Sequence, residues 1–334
     1  MSVDYVQLGR SGLQVSRLAL GTMNFGPVTE ERDAHAILDH ALEHGINLID
    51  TADVYGADAN RTIAWSEGKG LTEQIIGRWL AQGGGRRERV VLATKAYGDM
   101  GEEPNDKGLS ARHIRRACDA SLRRLQCDHV DVFMLHHVDR STPWEEIWEA
   151  LGVLHQQGKV LYFGTSNHAA WQIVQGQEAA RSRGRLGFVA EQSIYSLMER
   201  TIELELLPAC RAYGIGVIAY SPLNSGLLAG ILRKGDAASR SSSSRAETGL
   251  AQHRDRIERF EAFCDGLGEH PASVAQAWLL HQPGITAPIA GARTPAHLDA
   301  ALRALEISLG ASELEQLDDI FPGPGGPAPE AYAW

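Results

Sequence analysis

Cysteine is scarce and unpaired in this chain: Cys118, Cys127, Cys210 and Cys264 are scattered without a CxxC. That pattern suits reduced packing thiols and argues against a disulfide framework or a cysteine zinc site. No apolar run reaches 18 residues, and MSVDYVQLGR at the start lacks the basic stretch and apolar core of a secretory leader. A cytoplasmic protein without a membrane span is expected. Positive charge is also in deficit, with 32 lysines and arginines against 42 aspartates and glutamates, a net charge of −10. A general nucleic-acid or anionic-membrane surface is therefore not expected, although a local basic pocket is compatible with that balance. No GxGxxG follows an apolar run, so a Rossmann nicotinamide site is unsupported. The thirteen histidines form no HxH or HExxH, so a zinc site is unsupported too.

What is present is a chain of 334 residues, 43% hydrophobic and 22% charged, ample for a large core. Short apolar runs alternate with segments of helical period, the signature of βα units and a parallel sheet. Strands are expected at 17–22, Asn47–Asp50, Val90–Lys95, Val130–Leu135, Val160–Thr165, Phe188–Gln192, Gly216–Tyr220 and Thr286–Ile289. Helices are expected at Glu31–His44, Leu71–Ala81, 110–125, Trp144–Gln157, Ala170–Ser182, Glu203–Tyr213, Arg254–Leu267 and Ser273–His281. Eight such units predict one α/β domain over 1–334, a (β/α)8 TIM barrel preceded by an N-terminal β-hairpin at 1–16. Two stretches interrupt the alternation: 57–70, directly after Tyr55, and the serine-rich 233–249, which is expected to be mobile without ligand. Residues 322–334 read as a tail whose Tyr332 and Trp334 either fold over the pocket or lie free.

The chemistry gathers at strand ends. IDTADVYG runs an apolar strand into Asp50 and Tyr55, VVLATK ends on Lys95, and VDVFMLHH brings His136. A phenol titrates near 10, so its use as an acid at neutral pH asks for a shift of roughly three units. Lys95 would favour the phenolate, Asp50 would hold Lys95 charged, and His136 could hydrogen-bond a substrate carbonyl. A rival metal-hydrolase reading rests on His136, His137 and Asp139, but adjacent strand residues point to opposite faces and do not readily share a metal.

The motifs LGTMNFG, IDTADVYG, ATK, LHH, GTSN, EQSIYS, IAYSPL and PIAGAR stand in one order from residue 20 to residue 293. In that order they resemble the aldo-keto reductase family, over almost the whole chain. The resemblance implies carbonyl reduction with NADPH/NADP bound on the barrel, around Gly21 and Thr22. Ser166, Asn167 and Gln192 would hold the carboxamide and Tyr220 would stack on the nicotinamide, although Asn167 could instead cap the following helix. Ser221, Leu223 and Gly226 match the pyrophosphate loop, with Arg240 as its clamp and Arg245 competing. Gly291, Arg293 and His297 would serve the 2′-phosphate and adenine, whereas Ala300 and Ala301 replace polar adenine contacts usual in the family. Phe25, Trp65 and His137 are candidates for the pocket of a small carbonyl substrate. The stretch 144–184 resembles the actinomycete branch that reduces nucleotide-linked keto-deoxysugars. A redox-sensing auxiliary subunit of a channel shares the fold and is the non-enzymatic alternative.

Overall fold

The computed structural model describes residues 3–56, 68–234 and 244–333. Strands β1 (Tyr5–Gln7) and β2 (Gln14–Ser16) form the expected antiparallel hairpin. Eight further strands, β3 (Ala19–Gly21), β4 (Leu48–Asp50), β5 (Val91–Ala96), β6 (Val130–Leu135), β7 (Val160–Ser166), β8 (Phe188–Ile194), β9 (Gly216–Tyr220) and β10 (Ile285–Gly291), close into a barrel. Every neighbouring pair is parallel and β10 returns to β3, so the expected (β/α)8 architecture is present.

The barrel interior is packed, not hollow. Ala93, Val132, Met134, Ala190, Ile218 and Ala287 fill it, and the hairpin adds Leu8 and Val15 from below. The hairpin turn sits so close that a Cβ on Gly9, at φ +56°, would lie 2.4 Å from the Val189 carbonyl oxygen. Only glycine fits there. The turn is tied down further by the Arg10 amide, which donates to the Gly214 carbonyl at 2.7 Å.

Helices α1 (Glu31–Glu43), α2 (Leu71–Leu80), α3 (Ala111–Leu125), α4 (Trp144–Gln156), α5 (Ala170–Arg181) and α6 (Leu206–Tyr213) cover the outside. In α3, Ser110 caps the start by accepting from the His113 amide, and Ile114, Ala117, Cys118, Ser121, Leu122 and Leu125 recur at helical spacing on the buried face. Trp148 of α4 is wholly buried and donates its indole N–H to the Gly176 carbonyl at 2.7 Å, locking α4 to α5. Truncating such a tryptophan to alanine costs about 3–5 kcal/mol.

Three parts of the outer layer depart from expectation. Helix α7 (Ser244–Leu267) begins ten residues before the predicted Arg254, bending at His253. The segment AETGLAQ that it absorbs is rich in helix formers, which outweigh the serine-rich run before it. After α8 (Pro271–His281) and β10 come α9 (Pro295–Arg303) and α10 (Ala311–Ile320), neither of which the strand-and-helix alternation anticipates. Helix α9 has a start signal in Thr294, whose hydroxyl accepts from the His297 amide, with Pro295 in the first turn. The tail carries one helical turn, Glu330–Ala333, and lies along α5 and α6: the Ala328 amide donates to the Leu204 carbonyl, and Tyr332 shares a groove with Trp171, Val174 and Pro208.

Candidate active site

Asp50 ends β4, and Lys95 lies one residue from the end of β5. The Lys95 ammonium is fully buried, 2.8 Å from the Asp50 carboxylate, 2.9 Å from the Thr51 carbonyl and 3.2 Å from the Tyr55 hydroxyl oxygen. Three N–H donors thus meet three acceptors. Because Tyr55 receives a hydrogen bond from Lys95, its own proton is directed elsewhere.

Burial opposes the Lys95 charge, but Asp50 and Tyr55 outweigh it and hold the ammonium above its ordinary range. Tyr55 departs from expectation: burial raises its pKa, Lys95 lowers it by less, and Asp50 adds to the rise. Burial is the larger effect, and because Asp50 already neutralises Lys95 the phenol faces a compact ion pair and not a bare cation that could offset it. Tyr55 therefore rests as a neutral phenol.

His136 follows the last residue of β6, and its amide donates to the Ala96 carbonyl at 3.0 Å. Its ring meets Tyr55 edge-on, with centroids 5.8 Å apart. Burial first, then Lys95 and His137, hold its pKa well below the usual histidine range, so the imidazole is neutral. Its Nδ1 is buried and has no hydrogen-bond partner. His137 does not point away, as strand alternation predicted; its ring stacks on His136 at 5.2 Å and 12°. The pleat has ended at Leu135, so alternation no longer applies. Exposed His137 also meets Tyr97 edge-on at 5.5 Å, making a small aromatic wall beside Tyr55. Asp139 is committed elsewhere: it accepts from the Ser141 and Thr142 hydroxyls and the Leu109 amide, which overcome burial and hold it at about 2.

A second group of polar residues lies next to these four. Gln192 donates its side-chain amide to Asp50 Oδ1 at 2.7 Å. Asn167 adopts φ +60°; its Nδ2 donates to Ser166 Oγ at 3.0 Å, and its Oδ1 accepts from the Tyr220 hydroxyl at 2.8 Å. It does not cap the next helix, because the N-cap of α5 is Ala169. Past Tyr220, non-glycine residues Ser221, Asn224 and Ser225 are also left-handed, and Gly226 sits at φ +98°. Gln126 is the fifth left-handed non-glycine among the described residues, so this type of strain is concentrated here. Leu223 is half-buried against the core.

Residues 17–321 match the model of the Aldo/keto reductase family. The chain belongs to that family. An uncharacterized oxidoreductase, YrpG, of Bacillus subtilis (strain 168) is 51% identical over 99% of this chain and 100% of its own length. A versiconal hemiacetal acetate reductase of Aspergillus parasiticus is 34% identical over 96% of this chain and 97% of its own. A probable voltage-gated potassium channel subunit beta of Arabidopsis thaliana is 33% identical over 91% of this chain and 92% of its own. The protein is thus an aldo/keto reductase of the oxidoreductase class that acts on carbonyl compounds.

Other expected site residues of this aldo/keto reductase fall in varied places. Thr22 is fully buried and donates to the Asp50 carbonyl at 2.8 Å, while a Cβ on Gly21 would lie 2.5 Å from Ile289 Cγ2. The Thr22 hydroxyl is therefore spent on bracing the end of β4, and Gly21 is packed closely against β10. Phe25 is no pocket wall: it is wholly buried in the core, covered by α2, whose Thr72 hydroxyl donates to the Phe25 carbonyl. Gly291 ends β10 in the open, and Arg293 and His297 are exposed at the start of α9, where the Arg293 amide donates to His297 Nδ1 at 3.4 Å. Trp65 and Arg240 lie outside the described residues, as does the Arg245 side chain, so the choice of clamp arginine lies there too.

Sequence reasoning missed two buried acids. Asp53, two residues before Tyr55, is raised well above the usual carboxylate range by burial and by Glu73. Glu191 is also fully buried and is pushed up to about 7. Both stand inside quoted motifs, but only the register shows which way each faces.

Proposed function

We propose that this aldo/keto reductase is NADPH-dependent and reduces a small aldehyde or ketone, with Tyr55 donating the proton to the carbonyl oxygen. The observation that carries the reading is the Lys95 ammonium shared among Asp50, Thr51 and Tyr55, which leaves the phenol proton free for a ligand. When bound, the reduced nicotinamide supplies the hydride. Ser166, Asn167 and Gln192 would hold its carboxamide, which presents both donors and acceptors, and Tyr220 would pack on the ring. The left-handed backbone at Ser221, Asn224 and Ser225 supports a pyrophosphate cradle, and exposed Arg293 suits a 2′-phosphate. Neutral His136 donates to the same carbonyl oxygen that Tyr55 protonates, and the Lys95–Asp50 pair stabilises the phenolate left behind.

The likeness of 144–184 to keto-deoxysugar reductases carries less about substrate, since α4 and α5 lie in the outer layer and only the end of β7 reaches the site. A second reading, a dinucleotide-sensing auxiliary subunit, draws support from the likeness to a potassium channel subunit beta. One experiment separates them: NADPH consumption over a panel of simple aldehydes and nucleotide-linked keto-sugars, run beside Tyr55→Phe. Multiple turnovers, lost by about two to four decades in Tyr55→Phe while NADPH still binds, are expected. A variant within threefold of the wild type would remove Tyr55 from the role, and a single turnover at most would favour the sensing subunit.

A further inference from the structure

Glu191 is buried beneath the site, and nothing in the proposed chemistry uses it. Successive residues of β8 alternate faces, so Gln192 reaches Asp50 inside the barrel while Glu191 turns toward the helices. There its Oε1 accepts from the Ser193 hydroxyl at 2.8 Å and from the His168 backbone amide at 3.4 Å. Its Oε2 is buried and forms no close hydrogen bond, but the Thr165 hydroxyl, on the facing position of β7, is the donor that most offsets burial of the carboxylate. The His168 amide belongs to the peptide that leaves Asn167, the residue held at φ +60°. A left-handed non-glycine residue costs of order 1–3 kcal/mol and persists only where its surroundings impose it. Ser166 Oγ, the Tyr220 hydroxyl and the Gln192 carbonyl hold Asn167 from one side, and Glu191 holds the next amide from the other.

We propose that Glu191 is a positioning residue of the nicotinamide cradle: ionised, it clamps the His168 amide and keeps Asn167 in place, and protonated, it loosens that turn and weakens dinucleotide binding. The inference rests on the reading of Ser166, Asn167 and Gln192 as that cradle. A charged acceptor makes the shorter and stronger hydrogen bond, so the clamp tightens when the proton leaves. The other titratable groups facing Glu191 are His168 from the turn, Cys210 from α6 and Tyr220 from the end of β9. Burial lowers His168 to about 4 and raises Cys210 and Tyr220, so all three are neutral at pH 7. Glu191, raised by burial against its hydrogen bonds to about 7, is the member of this group that changes charge near neutrality.

The test is fluorescence titration of the whole protein with NADPH and with NADH at pH 6 and pH 8, for the wild type, Glu191→Gln and Ser193→Ala. NADH is included because the 2′-phosphate of NADPH itself titrates near pH 6. The wild-type Kd for both dinucleotides is expected to fall by about fivefold between pH 6 and pH 8, an ordinary coupling between two sites. Glu191→Gln should lose that dependence for NADH, and Ser193→Ala, which removes a donor to the carboxylate, should move the midpoint to higher pH. A wild type that binds neither dinucleotide would overturn the cradle reading itself. A wild type that binds NADH equally at both pH values, or a Glu191→Gln variant that keeps the dependence, would overturn only the role of Glu191. Should Glu191→Gln not fold, an unmoved midpoint in Ser193→Ala overturns that role equally.

Discussion

Gln192 donates its amide to the Oδ1 atom of Asp50 at 2.7 Å, the carboxylate that also pairs with Lys95. The residue expected to face the nicotinamide is thereby joined to the group that holds Lys95. A hydrogen bond to a charged partner contributes about 1.5–3 kcal/mol. Gln192→Leu should therefore lower kcat and dinucleotide affinity together, by about tenfold each or more. Steady-state rates beside a binding titration measure both; loss of affinity with kcat unchanged would confine Gln192 to the cofactor.

The pH profile follows from two groups that stay neutral. His136 is held well below the ordinary histidine range and Tyr55 above the ordinary phenol range, so neither changes charge between pH 6 and pH 9. At saturating dinucleotide, kcat for carbonyl reduction should be level across that interval and fall only above about pH 10, as Tyr55 loses its proton. An acid limb near pH 6.5 would mean that His136 protonates in the working enzyme.

Glu191 also makes stability depend on pH, with the sign opposite to that of an ordinary carboxylate. Its folded pKa, about 7, lies above its reference value of 4.5, so the unfolded chain gives up the proton first. Its contribution is fully present below pH 4.5 and is lost as pH rises through about 7, at about 1.4 kcal/mol per unit. Glu191→Gln should accordingly be more stable than the wild type at pH 8, by about 3 kcal/mol at most, and near wild type at pH 5. Urea denaturation at the two pH values reads the difference; equal effects at both would mean that Glu191 stays protonated throughout.

Cofactor preference should rest on Arg293, whose exposed side chain stands at the start of α9. A charge-assisted pair with a 2′-phosphate is worth about 1.5–3 kcal/mol, which predicts a preference for NADPH of roughly tenfold to a hundredfold. Arg293→Ala should erase most of that ratio and spare NADH. Contacts absent at Ala300 and Ala301 would have served both dinucleotides and do not alter the ratio. If NADH binding falls as far as NADPH binding, Arg293 packs on adenine instead.

The barrel and the meeting of Asp50, Tyr55, Lys95 and His136 were legible because apolar strands that end on polar residues leave a strong one-dimensional mark. Tyr55 shows where that reading stops. Its pKa depends first on how deeply the phenol is buried and then on whether Lys95 acts as a lone cation or as half of an ion pair, and spacing carries neither. Phe25 was misplaced because Leu71 to Leu80, some fifty residues away, decides its exposure. The facing of His137, though not its place beside the site, was misjudged because strand alternation does not extend two residues past the end of β6. Helices α9 and α10 went unread because no strand follows them to complete another βα unit.

The hairpin beneath the barrel has a kinetic consequence. Leu8 and Val15 pack with the interior side chains and fill the barrel floor, so no passage is left from below, and the residues at the strand ends are approached from the rim. On the proposed reading, a dinucleotide held at Ser166, Asn167 and Gln192 beneath the carbonyl compound would enter first and leave last, and the reduced product would depart before it. That queue predicts ordered bi-bi inhibition patterns, with the oxidised dinucleotide competing against the reduced one; competition between the carbonyl compound and the oxidised dinucleotide would instead mean that the two do not share one order of entry.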